Sequence, residues 1–387
     1  MDHAHCITLL SALQRVPDPR QRRGRSFEWP YLLAILAGAV MSGCTTGTAI
    51  TAWAQDHGAD IVATLKPAAG RIPSDSTLRR TVRSLDITVL EKAVALHNQT
   101  LDRQDQAAGV LTGKSGRIWR AQAIDGKDVR GARAHGKHTH LVSLVRHETG
   151  YTLGQTAVAE KSNEITAAPR LLRTLTLQGT VTTMDALLTQ RHLAHQIVRQ
   201  QGHYFMVVKR NQPEMYAALD VLFRDPPVPA QPGDFAQATT VEKGHGRLET
   251  RQVTCSRALH GYLDWPGAAQ VAQRYSQRVH IKTGVMTTET SYAVTSLPAE
   301  EVGPEHIAQL WRGHWTIENR VFHVRDVTMA EDACQIHVGE SAHALAALRN
   351  AVLSLLRFHK WHSIAAAFRH YHRHPVKALH LICCGTT

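Results

Sequence analysis

From residue 117 the chain reads RIWRAQAIDGKDV, and from residue 139 THLVSLVRHETG, which runs straight into YTLGQTAVAE at 151. β-Branched and aliphatic side chains dominate all three segments, and HETGY breaks the second from the third, so three consecutive strands are expected. SNEITAAPRLLRTL (162–175) reads as a helix begun by Ser162 or Asn163, and VTTMDAL (181–187) as a short buried strand. RHLAHQIVRQ (191–200) has helical spacing, and HYFMVVK (203–209) returns to strand.

Three strands, a helix, a strand, a helix and a strand is the element order of an RNase H-like core. The fold class expected is therefore α/β, a mixed sheet flanked by helices. In such a sheet the first and fourth strands are neighbours. Asp125 falls late in the first strand, before Gly126, and Asp185 ends the fourth. Taken singly, Asp125 reads as a turn residue and Asp185 as a helix N-cap. Taken together they set two carboxylates side by side at strand ends, and like charges held that close need a counter-ion. Hard oxygen donors select Mg²⁺, with Mn²⁺ able to substitute. Two such ions ~4 Å apart activate an attacking hydroxyl and stabilise the leaving oxygen in phosphoryl transfer.

A third carboxylate usually completes such a cage, and WRGHWTIENRVFHVRDVTMAED (311–332) offers Glu318. At helical period Trp311, His314, Glu318 and Arg325 return to one face, which sets the acid among groups suited to a polyanion. Other polar residues fall at strand ends where phosphate can pass: Lys127 and Arg130 after the first Asp, Lys161 after the third strand, and Lys209 with Asn211 and Gln212 after the fifth. Between Asp185 and Glu318 the chain is longer than one helix and one strand require. Residues 216–303 read as a strand-rich insertion, carried by RLETRQVTC, AAQVAQRYSQR and TETSYAVTSL. Within GHGRLETR, His245, Arg247, Glu249 and Arg251 alternate onto one strand face, either a grip for a DNA end or a surface ion-pair ladder of little energetic weight.

The 387-residue chain is 43% hydrophobic and 20% charged, the balance of a globular protein with room for sizeable cores. Its formal net charge of +12 points to anionic partners, nucleic acid first. Five arginines lie in RVPDPRQRRGR (15–25), and after Glu340 basic residues continue with no acidic one, so both ends read as surfaces for a nucleic-acid backbone. Residues 1–112 read as a helical DNA-binding domain, in which PSDSTLRRTVRSLD places Leu78, Val82 and Leu85 on one face and Arg79, Arg80 and Arg83 largely on others. Residues 113–215 and 304–360 form the expected catalytic core, and 361–387 a basic tail. Its histidines and cysteines lack metal-ligand spacing. The apolar run from Tyr31 to Cys44 falls short of the ~20 residues of a membrane span and reads as a buried helix opened by Pro30. Six cysteines without paired spacing or a secretory leader fit reduced thiols in a cytoplasmic protein.

AIDGK, EKSNEI, VTTMDAL, KRNQ, EKGHGRLETR and RGHWTIENRVFHVRDVTMAED, followed by AALRNAVLSLLR, resemble in that order the H-repeat-associated insertion-sequence transposases of the DDE superfamily. The likeness runs from PDPRQRRG near the start to HYHRHPVKAL near the end. It implies that Asp125, Asp185 and Glu318 are the catalytic, metal-binding triad, with Mg²⁺ as cofactor. It implies cleavage of DNA at element ends and attack of the freed 3′ hydroxyl on target DNA. The partners implied are double-stranded DNA, as terminal inverted repeats and target, and further copies of the chain on paired ends, with no membrane. The DNA contacts expected are Lys127, Lys161, Lys209, Asn211, His245, Arg247, Arg251, Arg312, His314 and Arg325. The family's pattern has His where Phe322 stands, an aromatic at Met329, glycine at Ala330 and arginine at His337. These departures motivate a competing reading, a DNA-binding relative without catalysis.

Overall fold

The computed structural model describes residues 8–23, 25–105, 110–130, 139–159, 162–227, 233–244, 246–334, 336 and 338–385. Two compact units are formed, one from Met1–Ala108, Gly126–Ser162 and Ile317–Thr387, the other from Gly109–Asp125 and Asn163–Thr316. Along the chain the strands are β1 (Val110–Thr112), β2 (Ile118–Asp128), β3 (His140–Arg146), β4 (Thr152–Ala157), β5 (Thr180–Met184), β6 (His203–Val208), β7 (Phe235–Gly244), β8 (Arg247–Ser256), β9 (Gln270–His280) and β10 (Met286–Thr295).

The second unit is built on a large mixed sheet. β2, β5 and β6 lie side by side and parallel, and β1 adds to β2 antiparallel. The helices Glu164–Leu172 and Arg191–Arg199 fall between these strands in the order expected. From β6 the sheet continues antiparallel through β10, β9, β8 and β7. Residues 216–303, expected as an insertion, therefore prolong the core sheet, with Tyr292 opposite Val208 and Thr295 opposite Phe205. β7 has no counterpart among the expected strands because it is exposed along most of its length, and its apolar and polar residues do not alternate. Trp119, Phe205, Leu310 and Trp311 belong to one buried cluster beneath the helix Pro304–Gly313, each such side chain stabilising the fold by about 1.5–3 kcal/mol.

The first unit is mostly helical. Trp29–Met41 starts with proline in its first turn and buries every residue but Pro30, as its apolar run predicts. Among the described residues no helix is long and apolar enough to cross a membrane. Ser74 caps the helix Asp75–Ser84, which buries Leu78 and Val82. Residues 361–385, expected as a basic tail, instead form the helices Ile364–Arg373 and Pro375–Cys384, with Tyr371, Leu379, Leu381 and Ile382 buried. Charge alone misreads this segment, since its apolar residues recur at helical spacing between the histidines.

A polar stripe on the helix Ile87–Gln104 grips the β3–β4 hairpin. Asn98 Nδ2 donates to the Thr152 carbonyl at 2.8 Å, Arg146 pairs with Asp102 at 2.8 Å, and Tyr151 Oη donates to Asp105 at 2.7 Å. Gly150, in the HETGY turn, has φ +69°, and a Cβ there would stand 2.4 Å from the Arg357 guanidinium, so the turn and that arginine require glycine.

The centre of this unit is ionic. Glu331, fully buried, accepts from Arg325 Nε at 3.0 Å and from Arg349 Nη1 at 3.1 Å. Arg325 also donates to Gln155 Oε1 at 3.0 Å, and Gln155 Nε2 donates to Glu91 at 2.7 Å, where His343 Nε2 stands at 2.8 Å. Burial alone would raise the Glu331 carboxyl, but the charges of Arg325 and Arg349 hold it below the usual carboxylate range.

Glu331→Gln should destabilise the protein by about 3–5 kcal/mol in chemical unfolding, because it leaves two buried guanidinium groups short of a partner. The depressed pKa fixes the sign of the pH dependence: the Glu331 contribution is complete above the unfolded-state value of 4.5 and is lost as pH falls through the lower folded value. The variant should therefore show a flatter loss of stability in acid than the parent.

Ala330 sits at φ +45°, where a Cβ costs about 1–2 kcal/mol, and this is a position where the resemblance called for glycine. Ala330→Gly should stabilise by about 0.5–1 kcal/mol after the entropy of the unfolded chain is included, seen as a higher thermal midpoint. A lower midpoint would contradict the left-handed backbone.

Candidate active site

β2 and β5 pair in parallel with Arg120 opposite Thr180 and Ile124 opposite Met184. The next residue on each strand is an aspartate, Asp125 on β2 and Asp185 just past β5. Neighbouring strands lie ~4.8 Å apart and residues in register share a face, so the pairing sets these two carboxylates beside each other where β5 ends and β2 runs on to Asp128. Buried hydroxyls and amides hold that register: Gln122 Nε2 donates to Thr182 Oγ1 at 3.1 Å, and Thr183 Oγ1 donates to the Gln122 carbonyl at 3.3 Å. Neither Gln122 nor Thr183 was singled out from the sequence, although polar side chains inside a wholly buried strand were the available signal.

After Asp185 the chain turns. The Leu188 amide donates to Asp185 Oδ1 at 3.1 Å, so Asp185 closes a turn rather than capping a helix, the next helix starting only at Arg191. Thr189 Oγ1 donates to the Val207 carbonyl at 2.6 Å, Asn211 Nδ2 to the Ala186 carbonyl at 2.6 Å, and Gln212 Nε2 to the Thr189 carbonyl at 2.9 Å. Asn211, expected against DNA, thus uses its amide to brace the turn that carries Asp185. Lys209 is exposed at the end of β6.

His314 differs from its expected role. It lies 3.0 Å from Thr183 Oγ1, and burial pushes its pKa down to about 4 against the pull of the Asp185 charge. It is neutral at physiological pH and does not present a cation to phosphate. Arg312 is exposed but bonded to Glu242. Glu242 also pairs with Arg251 at 2.9 Å, and Glu249 takes Arg251 at 2.7 Å, Arg278 at 2.9 Å and Arg247 at 3.9 Å. Burial opposes ionisation of Glu249, yet the Arg278 bond and the surrounding arginines hold its pKa below the usual range. The strand face of Arg247 and Arg251 is an ion-pair ladder, with much of its positive charge neutralised on the spot.

The remaining expected residues belong to the helical unit. Glu318 is exposed in the first turn of a π-helical segment, Ile317–Phe322, and a second such segment, Val324–Thr328, follows. In these segments hydrogen bonds skip to the fifth residue, as from Met329 N to the Val324 carbonyl, and each turn takes up extra chain. The α-helical stripe joining Trp311, His314, Glu318 and Arg325 is broken by that change. Arg325 is fully buried on Glu331, whereas Trp311 belongs to the sheet unit, where it packs 5.2 Å from Phe205 of the same unit. Lys127 is buried and pairs with Asp326 at 2.5 Å, with Asp332 at 3.7 Å. Arg325 and Lys127 are therefore corrected from DNA contacts to interior counter-charges, because buried acids need a cation at hand. Phe322 and Met329, two of the departures, are buried core residues. Lys161, His245 and His337 lie outside the described residues.

Asp125 and Asp185 offer hard oxygen donors, and the nearby imidazole of His314 is engaged with Thr183. That donor set fits a hard divalent cation such as Mg²⁺ better than zinc. Among the described residues no three His, Cys, Asp or Glu side chains are already gathered for a metal ion.

Residues 119–355 match the family model described as "Transposase DDE domain", and residues 10–97 match the one described as "DDE_Tnp_1-associated". "Putative transposase YncI" of Escherichia coli O157:H7 is 29% identical over 362 residues, covering 90% of this chain and 87% of its own. "H repeat-associated putative transposase YhhI" of Escherichia coli K12 is 26% identical, covering 90% of each chain. "Uncharacterized protein in dhlA 3'region" of Xanthobacter autotrophicus is 30% identical over 293 residues, 74% of this chain and 93% of its own. Among solved structures, a piggyBac transposase synaptic complex with hairpin DNA aligns over 90% of this chain and 72% of its own, at 10% identity and a TM-score of 0.44. With the DDE-domain model spanning more than half of its length, the chain belongs to the DDE transposase family.

Proposed function

We propose that this protein is a DNA transposase that cleaves DNA at the ends of an insertion sequence and joins the freed 3′ hydroxyl to target DNA. The observation that carries the reading is the pair of register-adjacent aspartates, Asp125 within β2 and Asp185 just past the parallel β5, in a chain of this family. The likeness to the family's motifs assigns the third carboxylate to Glu318. The three would hold Mg²⁺, or Mn²⁺ in its place, which when bound neutralises the carboxylates and polarises the oxygens of the phosphoryl group.

The protein's own part is positional. The strand register fixes the spacing of the two aspartates, and the Leu188 amide fixes one oxygen of Asp185, which sets the direction of the other. His314, neutral on Thr183, steadies the end of β5 without adding a charge that would compete for the carboxylates. Water or a 3′ hydroxyl is the nucleophile, so no covalent protein intermediate forms. The partners are the duplex DNA of terminal repeats and target, with copies of the chain assembled on paired ends, in the cytoplasm at the nucleoid. A DNA-binding relative without catalysis is the second reading, motivated by the departures from the family's pattern at Phe322 and His337.

Purified protein with Mg²⁺ or Mn²⁺ should nick and join duplexes that carry the element's ends. Chelation should stop the reaction, and Asp125→Asn or Asp185→Asn should reduce it to background while leaving duplex binding intact. An Asp125→Asn protein as active as the parent would overturn the metal assignment, and a parent that binds the ends but gives no product would favour the second reading.

A further inference from the structure

A groove of ≈ 580 Å³ in the helical unit is lined by Arg20, Arg23, Arg71, Arg80 and Arg83, with serine and threonine hydroxyls between them and no acidic residue in the lining. Two chain segments far apart in sequence build it. The first is the arginine-rich stretch after Pro19, pinned by the Trp29 indole, which donates to the Val16 carbonyl at 2.9 Å, and by Arg20, which reaches the Phe27 carbonyl at 2.9 Å and stacks 5.2 Å from the Trp29 ring. The second is the helix Asp75–Ser84, held by Leu78, Thr81 and Val82 on its buried side. Its other side carries Ser76, Arg79, Arg80 and Arg83, all exposed, at steps of three and four residues. Arg71 is aligned by the Phe27 ring at 4.9 Å.

Neutralisation is uneven. Asp18 pairs with Arg20 at 2.8 Å, and Asp75 pairs with Arg79 at 2.7 Å. Among the described residues no carboxylate forms an ion pair with Arg23, Arg80 or Arg83, and Arg80 Nε is directed to the Ser76 carbonyl of its own helix. Like charges gathered without acids repel one another, so the arrangement is stabilised by an anion with repeated charges. Five guanidinium groups along an open groove exceed what one phosphate can engage, and the stripe continues past the groove at Arg79. Guanidinium and hydroxyl donors together match phosphodiester oxygens.

We infer that this groove is the track for the phosphodiester backbone of duplex DNA, with Arg23, Arg80 and Arg83 as direct phosphate contacts. It rests on the DNA-binding part of the function proposed above and is independent of the chemistry at Asp125. Binding here is dominated by charge and weakly dependent on sequence.

Fluorescence anisotropy of a labelled duplex, with the full chain, no divalent metal and a series of salt concentrations, tests it. Arg80→Gln with Arg83→Gln should weaken binding and lower the slope of log K against log salt by about 0.9 for each contact removed. Arg80→Lys with Arg83→Lys should keep most of that slope, since charge rather than fork geometry carries the contact. These side chains are exposed, so the thermal midpoint should not change, and Arg23→Gln offers a variant outside the helix. An unchanged slope in both Gln variants would overturn the inference. So would an equal loss on removing two exposed charges elsewhere, at Lys114 and Lys282, or a loss confined to single-stranded DNA or RNA. DNA joining with an unchanged slope would sink the groove and keep the transposase reading, whereas a reduced slope in a protein that never cleaves would do the reverse.

Discussion

Glu331 and the two arginines that hold it govern the helical unit. A buried carboxylate is costly in isolation, and here its Oε2 and Oε1 each receive a guanidinium N–H, from Arg325 and Arg349 respectively. The three groups come from different parts of the chain: the second π-helical segment, the loop after it, and the helix Ser341–Phe358. Through Gln155 the same cluster reaches β4, and through Glu91 the helix Ile87–Gln104. No one of these elements can shift without leaving a charge unpaired inside the protein. The ion pairs add less to net stability than their number suggests, but they specify one arrangement sharply.

That constraint explains why several basic residues do not do what residue type alone suggests. Lys127 follows a candidate metal ligand, and Arg325 lies one element beyond another, so both invite assignment to a DNA backbone. Each is buried and faces acids of the same interior, Lys127 on Asp326 and Arg325 on Glu331. The sheet unit uses the same device at lower depth, where Glu242 and Glu249 tie Arg312, Arg251 and Arg278 into a ladder. Position next to a catalytic residue is thus a poor guide to a phosphate contact. Whether an acid stands within bonding distance is a better one.

Most of the fold was legible because its signals are local and periodic. Alternation and aliphatic runs gave β2 to β6, β8, β9 and β10, and the buried run after Pro30 gave its helix. The neighbouring aspartates followed from strand order alone. What escaped was what depends on partners. β7 is exposed along most of its length, so burial leaves no two-residue period in it, and it is a strand because β8 pairs with it. The π-helical segments at Ile317–Phe322 and Val324–Thr328 change the azimuth of each side chain with no residue type to mark them. The histidine-rich end was read by charge when its apolar spacing already described two helices. Ala330 stands where the family's pattern has glycine, and its positive φ supplies the physical reason for glycine there.

The excess positive charge of the chain can now be divided by environment. Arginines that meet acids, in the ladder or around Glu331, set structure and contribute little field outside the protein, because an ion pair looks nearly neutral beyond a Debye length of ~8–10 Å. Arginines grouped without acids keep their field, and in the helical unit the groove with Arg23, Arg80 and Arg83 is such a place. Attraction of a polyanion over distance is set by the second group, so a chain with net charge +12 can have few effective contacts and still have a strongly directional one. The same reasoning separates the two tasks of a DNA-processing enzyme. Holding the backbone calls for uncompensated cations on an exposed face, while chemistry on it calls for clustered acids, and in this chain the aspartates of β2 and β5 and the arginines of Asp75–Ser84 occupy different units.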